Sequence, residues 1–271
     1  MGNSKIRKYF SNRELLTTRA KNWTLAMEEL FYNDIEFSSA NTKVYDNAGA
    51  PFVPENDVED VEIEIIEGFH QKVLFDLKDQ LSGKTCIHNF ASYKHPGGMF
   101  LKGSSAQEEA LCHNSFLYNV LVRQKDYYAW NNAHCPNSLY LNRALYSPDI
   151  HFINRTPKNV TKDALDKVVN DNMPVDVLTC AAPNISSGRR ELKENNEVVL
   201  ISRIQFIHRI LEQNKVDYFI TGAFGCGVFA QNPREVAEMM KSFICRSAHL
   251  KKVFFVIPAG RNLDEFKKVF E

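Results

Sequence analysis

The sequence predicts an α/β fold in which helices cover both faces of one largely parallel or mixed β-sheet. Short apolar runs of strand length alternate with segments whose apolar residues recur at helical spacing, throughout the chain. No internal repeat, low-complexity segment or evident linker interrupts this alternation in the 271 residues. A chain of this length can form one large domain or two small ones, and the unbroken pattern favours a single domain.

The composition indicates a sizeable core and no overall charge. Hydrophobic residues make up 44% of the chain, and 33 basic residues balance 33 acidic ones. Without a net charge, no overall field attracts nucleic acid or an anionic membrane. The longest apolar run, residues 253–258, is too short to span a bilayer. We therefore expect no membrane partner, no direct sequence-specific binding of nucleic acid, and a monomer.

The cysteines and histidines indicate neither disulfides nor a metal site. The six cysteines include no C-x-x-C pair, and no secretory leader is evident, which is typical of reduced thiols in a cytoplasmic protein. The histidines lack H-x-x-x-H spacing, so we expect no metal and no other cofactor. Cys226 as a nucleophile would need a nearby base, which the sequence does not place.

The N-terminal part of the chain is predicted to contain two helices and two strands. Residues 12–32 have apolar side chains at helical spacing, and residues 43–45 form a short strand before a turn at 47–51. In the acidic run 55–64, apolar residues alternate with glutamates, which predicts a strand with one solvated face. A partner-binding acidic patch is the alternative. Residues 69–81 form an amphipathic helix.

The chain is organised around residues 88–118. A strand over 85–90 passes through Ala91-Ser92, enters His95-Pro96-Gly97-Gly98 and ends as a helix opened by Gln107-Glu108-Glu109 and continuing to Leu121. A strand, a glycine-rich loop and a helix start can cradle a phosphate. Glycine lets the backbone approach a ligand closely, and a helix start offers unpaired N–H groups. Two adjacent acids beyond such a loop suggest chemistry on a nucleotide-like ligand.

Purely structural explanations exist for the same residues. Pro96-Gly97 suits a type II turn, which prefers proline and then glycine at its central positions. Ser105-Ala106-Gln107-Glu108 suits a capping box, in which Glu108 would satisfy only the first turn of the helix. Spacing alone leaves the structural and the functional explanations open.

The remaining elements follow the same alternation. Asn232 is predicted to cap a helix whose first residue is Pro233. The other predicted elements are a loop with a helical fragment (124–142), strands around Ser147-Pro148 (144–153), a loop with a short helix (154–172), a buried strand (175–181), a long helix (191–214), a strand (217–221), a last strand (252–257) and a last helix (263–270).

A second glycine-rich loop, GAFGCGVF at residues 222–229, follows the strand 217–221. Three glycines in six residues free backbone N–H groups to face an anion, and the dipole of the following helix would add to the attraction. The order G-x-x-G-x-G, without an acid at the Rossmann distance, is not the dinucleotide fingerprint. A tight structural turn, with Cys226 as a small buried residue, is the alternative.

Gly97-Gly98 followed by Gln107-Glu108-Glu109 resembles the GGG-x(6–8)-QEE signature of poly(ADP-ribose) glycohydrolases, most closely the bacterial, microbial type. Met99 stands where the family has its third glycine. The resemblance continues in order through residues 12–29, 146–149, 182–184 and 222–229. It implies one three-layer α/β/α macrodomain-like domain over residues 1–271, with about residues 1–60 as a helical extension packed on it.

The resemblance also implies the ligand and the roles of individual residues. The ligand is ADP-ribose, as poly(ADP-ribose) or on an ADP-ribosylated macromolecule. Glu109 is the general acid, Glu108 holds ribose hydroxyls, and the second loop holds the diphosphate, with Phe229 packed against the ligand. A polar turn at Ser92 and an ordinary Asn turn at Asn184 are the alternatives. The substrate-binding residues implied are Asn89, Ala91, Ser92, Gly97, Gly98, Met99, Gln107, Asn184, Gly222, Ala223, Gly225, Cys226, Gly227, Val228 and Phe229.

Hydrolysis of a ribose–ribose O-glycosidic bond passes through an oxocarbenium-like state and needs a general acid at the leaving oxygen. Such an acid must hold its proton near neutral pH, so its pKa must be raised, by burial or by the ligand phosphates nearby. Adjacent helical residues point about 100° apart, so Glu108 and Glu109 cannot play symmetric roles. No second carboxylate is evident as a nucleophile, and the family is thought to use a water that the same glutamate deprotonates.

Two other functions remain open from the sequence: a hydrolase for single ADP-ribose groups on protein or nucleic acid, and a non-catalytic ADP-ribose-binding module. Met99 is the reason. If its position needs a positive φ, methionine there would store about 1–3 kcal/mol of strain. If the dihedral is ordinary, the flexible side chain would lie across the mouth of the distal-ribose pocket.

Overall fold

The computed structural model describes residues 12–46 and 58–271, and within them a seven-stranded sheet forms the centre of the molecule. The predicted turn at 47–51 and the start of the acidic run 55–64 lie outside the described residues. The strands in chain order are β1 (Lys43–Asp46), β2 (Glu59–Asp60), β3 (Glu62–Glu67), β4 (Thr85–Phe90), β5 (Arg143–Ile153), β6 (Asn172–Cys180), β7 (Tyr218–Thr221), β8 (Arg246–Ser247) and β9 (Lys252–Ile257).

The sheet is mixed and mostly parallel, as predicted. Its spatial order is β1-β5-β6-β4-β7-β9-β3, while β2 and β8 pair separately. Strands β6, β4, β7, β9 and β3 are parallel, and β5 and β1 join as antiparallel strands. The carboxyl ends of β4, β6 and β7 therefore lie side by side. The loops that follow Phe90, Cys180 and Thr221 meet at this edge, where open α/β sheets bind ligands.

Helices cover both faces of the sheet. They are α1 (Asn12–Leu30), α2 (Tyr32–Asn41), α3 (His70–Asp76), α4 (Gln107–Cys112), α5 (Leu117–Leu121), α6 (Lys125–Ala133), α7 (Lys162–Leu165), α8 (Arg190–Gln213), α9 (Pro233–Ile244) and α10 (Arg261–Phe270), with 3-10 turns at Lys78–Gln80 and Phe100–Lys102. No helix among the described residues is long and apolar enough to cross a membrane.

Each face of the sheet has its own hydrophobic core. Helices α8, α9 and α10 enclose one core, in which Phe255 and Phe266 are fully buried. Helices α1 to α5 enclose the other, around Phe116 and Phe152. Burial of one such side chain contributes about 1.5–3 kcal/mol, so the two cores hold the layers together. The three-layer α/β/α prediction is confirmed.

The helical extension packs on the second of these cores. Ala20, Trp23 and Met27 of α1 are fully buried, and their spacing of three and four residues forms one stripe along the helix. The Trp23 Nε1–H also donates to the Ser115 carbonyl at 2.8 Å. The predicted helix at 12–32 is confirmed, and α2 lengthens the helical extension beyond it.

The predicted edge strand in the acidic run is also confirmed, as β3. Glu62 and Glu64 point to the same face, and each carboxylate lies 2.7 Å from Lys252 Nζ on the neighbouring strand. These pairs are partly exposed, so each contributes little to stability. Glu62 and Glu64 therefore belong to the solvated face of a strand.

Three predicted elements differ from the structure. The helix expected to run from Glu108 to Leu121 is broken into α4 and α5, because Ser115 Oγ donates to the Leu111 carbonyl and accepts from the Leu117 N–H. The helix at 69–81 is shorter, ending as a 3-10 turn. The strands around Ser147-Pro148 are one strand with a bulge, where proline has no N–H for the ladder.

Candidate active site

Gln107 attaches helix α4 to strand β4. Strand β7 pairs with β4 only as far as Ile87, which leaves the next polar groups of β4 without a strand partner on that side. The Gln107 amide takes this place: its oxygen accepts from the Phe90 N–H at 2.8 Å, and its nitrogen donates to the His88 carbonyl at 2.7 Å. Both ends of the Gln107 amide are thus engaged by the protein, and its contact with substrate stays a prediction.

The two acids that follow Gln107 are buried and bind different loops. Glu108 accepts from the Ser92 N–H at 2.7 Å and from Asn89 Nδ2 at 3.3 Å. Glu109 accepts from the Met99 N–H at 2.8 Å. This divergence agrees with the expectation that adjacent helical residues cannot play symmetric roles. The capping-box alternative is wrong, because the N-cap of α4 is Ala106 and no side chain caps it.

The glycine turn brings the two carboxylates together. The Gly98 N–H donates to the His95 carbonyl at 3.0 Å across Pro96 and Gly97, and both glycines have positive φ, 65° and 59°. The predicted turn is therefore present. A side chain on Gly98 would begin 2.7 Å from a Glu109 oxygen and 2.9 Å from a Glu108 oxygen. The acidic groups beside this loop are the protein's own carboxyls, those of Glu108 and Glu109, and the phosphate cradle expected at the first loop stays a prediction.

Glu108 favours retention of a proton. Burial raises the pKa of Glu108 to about 8; the Ser92 N–H opposes this shift, and the charge of Glu109 adds to it. Glu108 therefore retains its proton near neutral pH.

Met99 adopts an ordinary backbone conformation. Its φ of −107° and ψ of 26° are open to residues other than glycine, so the prediction of stored strain at this position is wrong. The side chain is 38% exposed, while the next residue, Phe100, is fully buried against Tyr118 and His113. The alternative in which Met99 stands at the surface of the catalytic loop agrees with this geometry.

Two glycines of the second loop are required by close packing. A side chain on Gly222 would begin 2.5 Å from the Val256 carbonyl oxygen, and one on Gly225 would begin 2.7 Å from Ala182 Cβ. Gly225 also has a φ of 75°, which favours glycine. Gly227 has no neighbour within 4 Å of such a side chain. The loop is thereby pressed against β9 and the corner at 182–184, with open space beside Gly227.

Several N–H groups of the second loop remain available to an anion. Within residues 58–271, those of Gly225, Gly227, Val228 and Phe229 meet no backbone carbonyl, whereas those of Phe224 and Cys226 bond inside the loop. Grouped free N–H groups form an anion site. The loop does not run directly into α9, however, whose first turn is capped by the Asn232 side chain, so the expected contribution of a helix dipole is not seen.

The thiol of Cys226 is not activated. It is partly buried, and its Sγ lies 3.6 Å from the Phe224 carbonyl. Burial raises its pKa to about 12, whereas a nucleophilic thiol requires a lowered value. Cys226 therefore serves as a small residue in the loop.

Two buried histidines pack against the second loop and the end of the strand before it. His88 Nδ1 lies 3.1 Å from the Thr221 hydroxyl, and its ring packs 4.5 Å from the Phe224 ring. His70 packs close to Gly222. Burial lowers the pKa of His70 to about 4 and that of His88 to about 3. Both rings are therefore neutral near pH 7 and supply packing and polar contacts, with no charge.

The residues at the end of β4 bond to strand β6, to the loop that follows and to Glu108. Asn89 is fully buried, and its amide nitrogen bonds Glu108 and, at 3.2 Å, the Thr179 hydroxyl. Ala91 N–H donates to the Cys180 carbonyl. The Ser92 hydroxyl accepts from the His95 N–H at 3.2 Å, so Ser92 makes the expected polar turn while its N–H also holds Glu108.

Asn184 forms the ordinary Asn turn that was the alternative to ligand binding. Its side-chain oxygen accepts from the Ser186 N–H at 3.0 Å and from the Ser186 hydroxyl at 2.7 Å. Its N–H donates to the Ser138 carbonyl at 2.8 Å. Asn184 thus joins the corner at 182–184 to the segment before β5.

Sequence reasoning missed an aromatic group beside the second loop. The Tyr140 ring stacks on Tyr93, with centroids 4.6 Å apart and planes 8° apart, and lies 6.3 Å from Phe229. Tyr140 has a positive φ of 61°, which is uncommon for an aromatic residue. Nothing in the polar and aromatic run 124–142 indicates this conformation.

Arg203 of α8, also missed, fixes this aromatic group. It is fully buried, and its guanidinium donates to Asn142 Oδ1 and to the carbonyls of Ala181, Leu139 and Tyr140. An arginine fork suits several acceptors at once. The available signal was its position on the apolar stripe of a long helix, where a charged residue needs buried partners.

The family described as microbial-type PARG, catalytic domain, matches residues 16–155, just over half of the chain, including α1, the glycine turn and both acids. The chain belongs to this family. It is therefore an enzyme of the glycohydrolase class, as the sequence indicated.

Solved structures share the fold over nearly the whole chain. The poly(ADP-ribose) glycohydrolase (PARG) of Thermomonospora curvata, bound to the inhibitor ADP-HPD, has a TM-score of 0.77 at 22% identity and covers 93% of this chain and 99% of its own. The PARG of Deinococcus radiodurans, in complex with ADP-ribose, has a TM-score of 0.70 at 22% identity, covering 88% and 97%. No curated protein matches significantly in sequence. The macrodomain-like fold is thus common to all three.

Proposed function

We propose that this chain hydrolyses the ribose–ribose O-glycosidic bond of poly(ADP-ribose) and releases ADP-ribose, with Glu109 as the general acid. One observation carries the proposal: two buried acids of one short helix converge on Gly98, beside a second loop with free N–H groups. Membership of the microbial-type PARG family supports the same reaction. The structures of relatives with ADP-HPD and ADP-ribose support this ligand class.

The second loop would hold the diphosphate. The N–H groups of Gly225, Gly227, Val228 and Phe229 are free of backbone partners within residues 58–271, and an anion satisfies such groups. The rings of Phe229 and Tyr140 lie beside them and offer apolar surface to the rest of the nucleotide. This loop follows β7, and the acids follow β4, its neighbour in the sheet. One ligand could therefore contact both.

Glu109 is the better candidate for the acid because it has fewer partners. Both oxygens of Glu108 accept hydrogen bonds, from Asn89 and Ser92, which suits a fixed group that binds ribose hydroxyls. Glu109 accepts at one oxygen, from Met99. Its second oxygen has no partner in the part of the chain that the structure describes, and it can therefore face the substrate. As the general acid, Glu109 would pass a proton from this oxygen to the oxygen of the leaving ribose.

Water would complete the reaction. Once Glu109 has given its proton to the leaving oxygen, its carboxylate can take a proton from a water that attacks the anomeric carbon. The C–O bond to the leaving ribose breaks, a new C–O bond to water forms, and Glu109 recovers its proton. Both acids come from one helix and approach from one side, so they do not form the opposed carboxylate pair of most glycosidases.

A second candidate is removal of a single ADP-ribose from a modified macromolecule. Met99 favours it, because its side chain is partly exposed on the loop whose N–H holds Glu109. A methionine in this position can narrow the space for a polymer without fixing its shape. A non-catalytic ADP-ribose-binding module is the third candidate, and the two adjacent buried acids argue against it.

Chromatographic measurement of ADP-ribose release separates these three functions. The protein is incubated with poly(ADP-ribose) and, in parallel, with mono-ADP-ribosylated protein. Release from the polymer supports the glycohydrolase, and release only from mono-modified substrate supports the second candidate. Binding of ADP-ribose without release from either substrate would contradict the proposal and leave a binding module.

A further inference from the structure

The N-terminal helix α1 contacts both ends of the catalytic segment, defined as residues 97–113. At the loop end, Gly103 has a φ of 75°, and a side chain there would begin 2.3 Å from the Arg13 carbonyl oxygen. The absence of a side chain lets α1 approach closely. Arg13 Nε–H donates to the Lys102 carbonyl at 2.9 Å. The loop that carries the glycine turn is therefore held by α1.

At the C-terminal end of α4, two nitrogens of Arg19 contact His113. Its Nη1 lies 2.6 Å from His113 Nδ1, and its Nη2 donates to the His113 carbonyl at 3.1 Å. The guanidinium also donates to the Thr156 hydroxyl and to the Pro157 carbonyl, both at 3.1 Å. Arginine has donors only, so Nδ1 of His113 must be the acceptor and Nε2 must carry the proton. Burial and the charge of Arg19 lower the pKa of His113 to about 4, which keeps the ring neutral.

His113 in turn contacts the backbone of Glu109 and the loop that holds the Glu109 side chain. Its N–H donates to the Glu109 carbonyl at 2.9 Å. Its ring packs edge-on against Phe100, with centroids 4.6 Å apart, and Phe100 follows Met99, whose N–H holds the Glu109 carboxylate. A shift of His113 would therefore move the backbone of the acid and the loop that orients its side chain.

A second chain of hydrogen bonds leads from Arg19 to Ala110, the residue after Glu109. The Thr156 hydroxyl, which accepts from Arg19, donates to Asn114 Oδ1 at 2.7 Å. The Asn114 amide nitrogen donates to the Ala110 carbonyl at 2.7 Å. The end of a six-residue helix is thereby fixed by side chains, because a helix so short has few backbone bonds of its own.

We infer that Arg19 is a positioning residue for Glu109, so that the N-terminal helix is part of the catalytic apparatus as well as a structural extension. The inference rests on the proposed function of Glu109. Arg19 is not alone in attaching the extension, because Ala20, Trp23 and Met27 are buried in the core. Arg123 also joins the extension to the domain, through ion pairs with Glu28 and Glu36.

The test compares Arg19→Lys and Arg19→Gln with the control Arg123→Gln, which weakens the attachment of the extension away from α4. Lysine keeps the charge but cannot make the two-pronged contact. We expect kcat for ADP-ribose release to fall about 10- to 100-fold in both Arg19 variants, the scale of a small misplacement of a catalytic group. We expect KM and ADP-ribose binding to stay near their wild-type values, and Arg123→Gln to lower the melting temperature while kcat is kept.

Nuclear magnetic resonance of the His113 ring gives a readout that does not depend on activity. We expect the Nε2–H tautomer in the wild-type protein and a mixture of tautomers in Arg19→Gln. The Nδ1–H tautomer in the wild-type protein would overturn the inference even if an Arg19 variant failed to fold.

The kinetic outcomes separate this inference from the proposed function. An active wild-type enzyme whose Arg19→Lys variant keeps full kcat, or loses only affinity for substrate, overturns the positioning role alone. An equal loss of kcat in Arg19→Gln and Arg123→Gln does the same, because it shows a general effect of loosening the extension. A folded wild-type protein that releases no ADP-ribose overturns the proposed function, and this inference with it.

Discussion

Replacement of Gly98 by alanine is a direct test of the convergence of the two acids. Gly98 has a φ of 59°, and a Cβ there would lie 2.7 Å from Glu109 Oε1 and 2.9 Å from Glu108 Oε2. Ordinary contact begins at 3.4 Å, so the Glu109 oxygen would have to recede by about 0.7 Å. A displacement near 1 Å can cost a catalytic group about 10²-fold in rate. We therefore expect kcat to fall about 10- to 100-fold on this scale.

The matched control is Gly188→Ala. Gly188 has a similar φ of 71°, but a side chain there meets nothing within 4 Å. Both variants should lose about 1–2 kcal/mol of stability from the left-handed conformation, which thermal melts measure. Only Gly98→Ala should lose turnover, measured as ADP-ribose release. If Gly98→Ala turns over as fast as Gly188→Ala, the acids do not depend on the empty space at Gly98, and the reasoning is refuted.

Three further predictions follow from the same geometry. Because the pKa of Glu108 is raised to about 8 from 4.5, the folded state binds the extra proton, so stability should fall as pH rises from about 4.5 to 8; thermal melts of Glu108→Gln over this pH range should lack the trend. ADP-ribose should raise the melting temperature, and Gly225→Val or Phe229→Ala should reduce the rise; an unchanged rise in both would exclude the second loop as the binding site. Met99→Gly should increase polymer turnover and cost about 0.5–1 kcal/mol of stability, since Met99 has an ordinary φ. If the substitution leaves turnover unchanged on both the polymer and the mono-modified substrate, Met99 does not set specificity.

The elements that surround the site could be predicted because local chemistry determines them. The strand at 252–257 contains a continuous apolar run, residues 253–257, which a strand covered on both faces requires. Asn232 and Pro233 mark a helix start, and the structure shows the predicted cap. The order of strand, glycine turn and acids is likewise a property of neighbouring residues, and it survives in the structure.

What could not be predicted depends on contacts between distant residues. The helix after Glu109 appears continuous in sequence, yet Ser115 ends one helix and starts another through bonds to its neighbours. Gln107 looks like a ligand contact until the end of β7 shows that β4 has open polar groups for it. Arg203 lies far along the chain from Tyr140, and only the folded state shows that it holds this residue's carbonyl.

The first glycine loop shows the same limit in its chemistry. A glycine-rich loop before a helix start predicts an anion site, and in the structure the carboxyls of Glu108 and Glu109 lie beside this loop. Their direction follows from the rotation between adjacent helical residues, which was predicted. Their partners, at Ser92 and Met99, follow from the path of the loop, which spacing alone does not determine.

Single-turnover release of ADP-ribose by Glu109→Gln, with Glu108→Gln beside it, tests the proposed mechanism most directly. Glutamine keeps the size and polarity of the side chain but cannot donate a proton as an acid. We expect Glu109→Gln to lose about 10²-fold or more in rate, the scale of general acid–base catalysis, while ADP-ribose still raises its melting temperature. Near-normal turnover in Glu109→Gln would contradict the assignment of Glu109 as the acid.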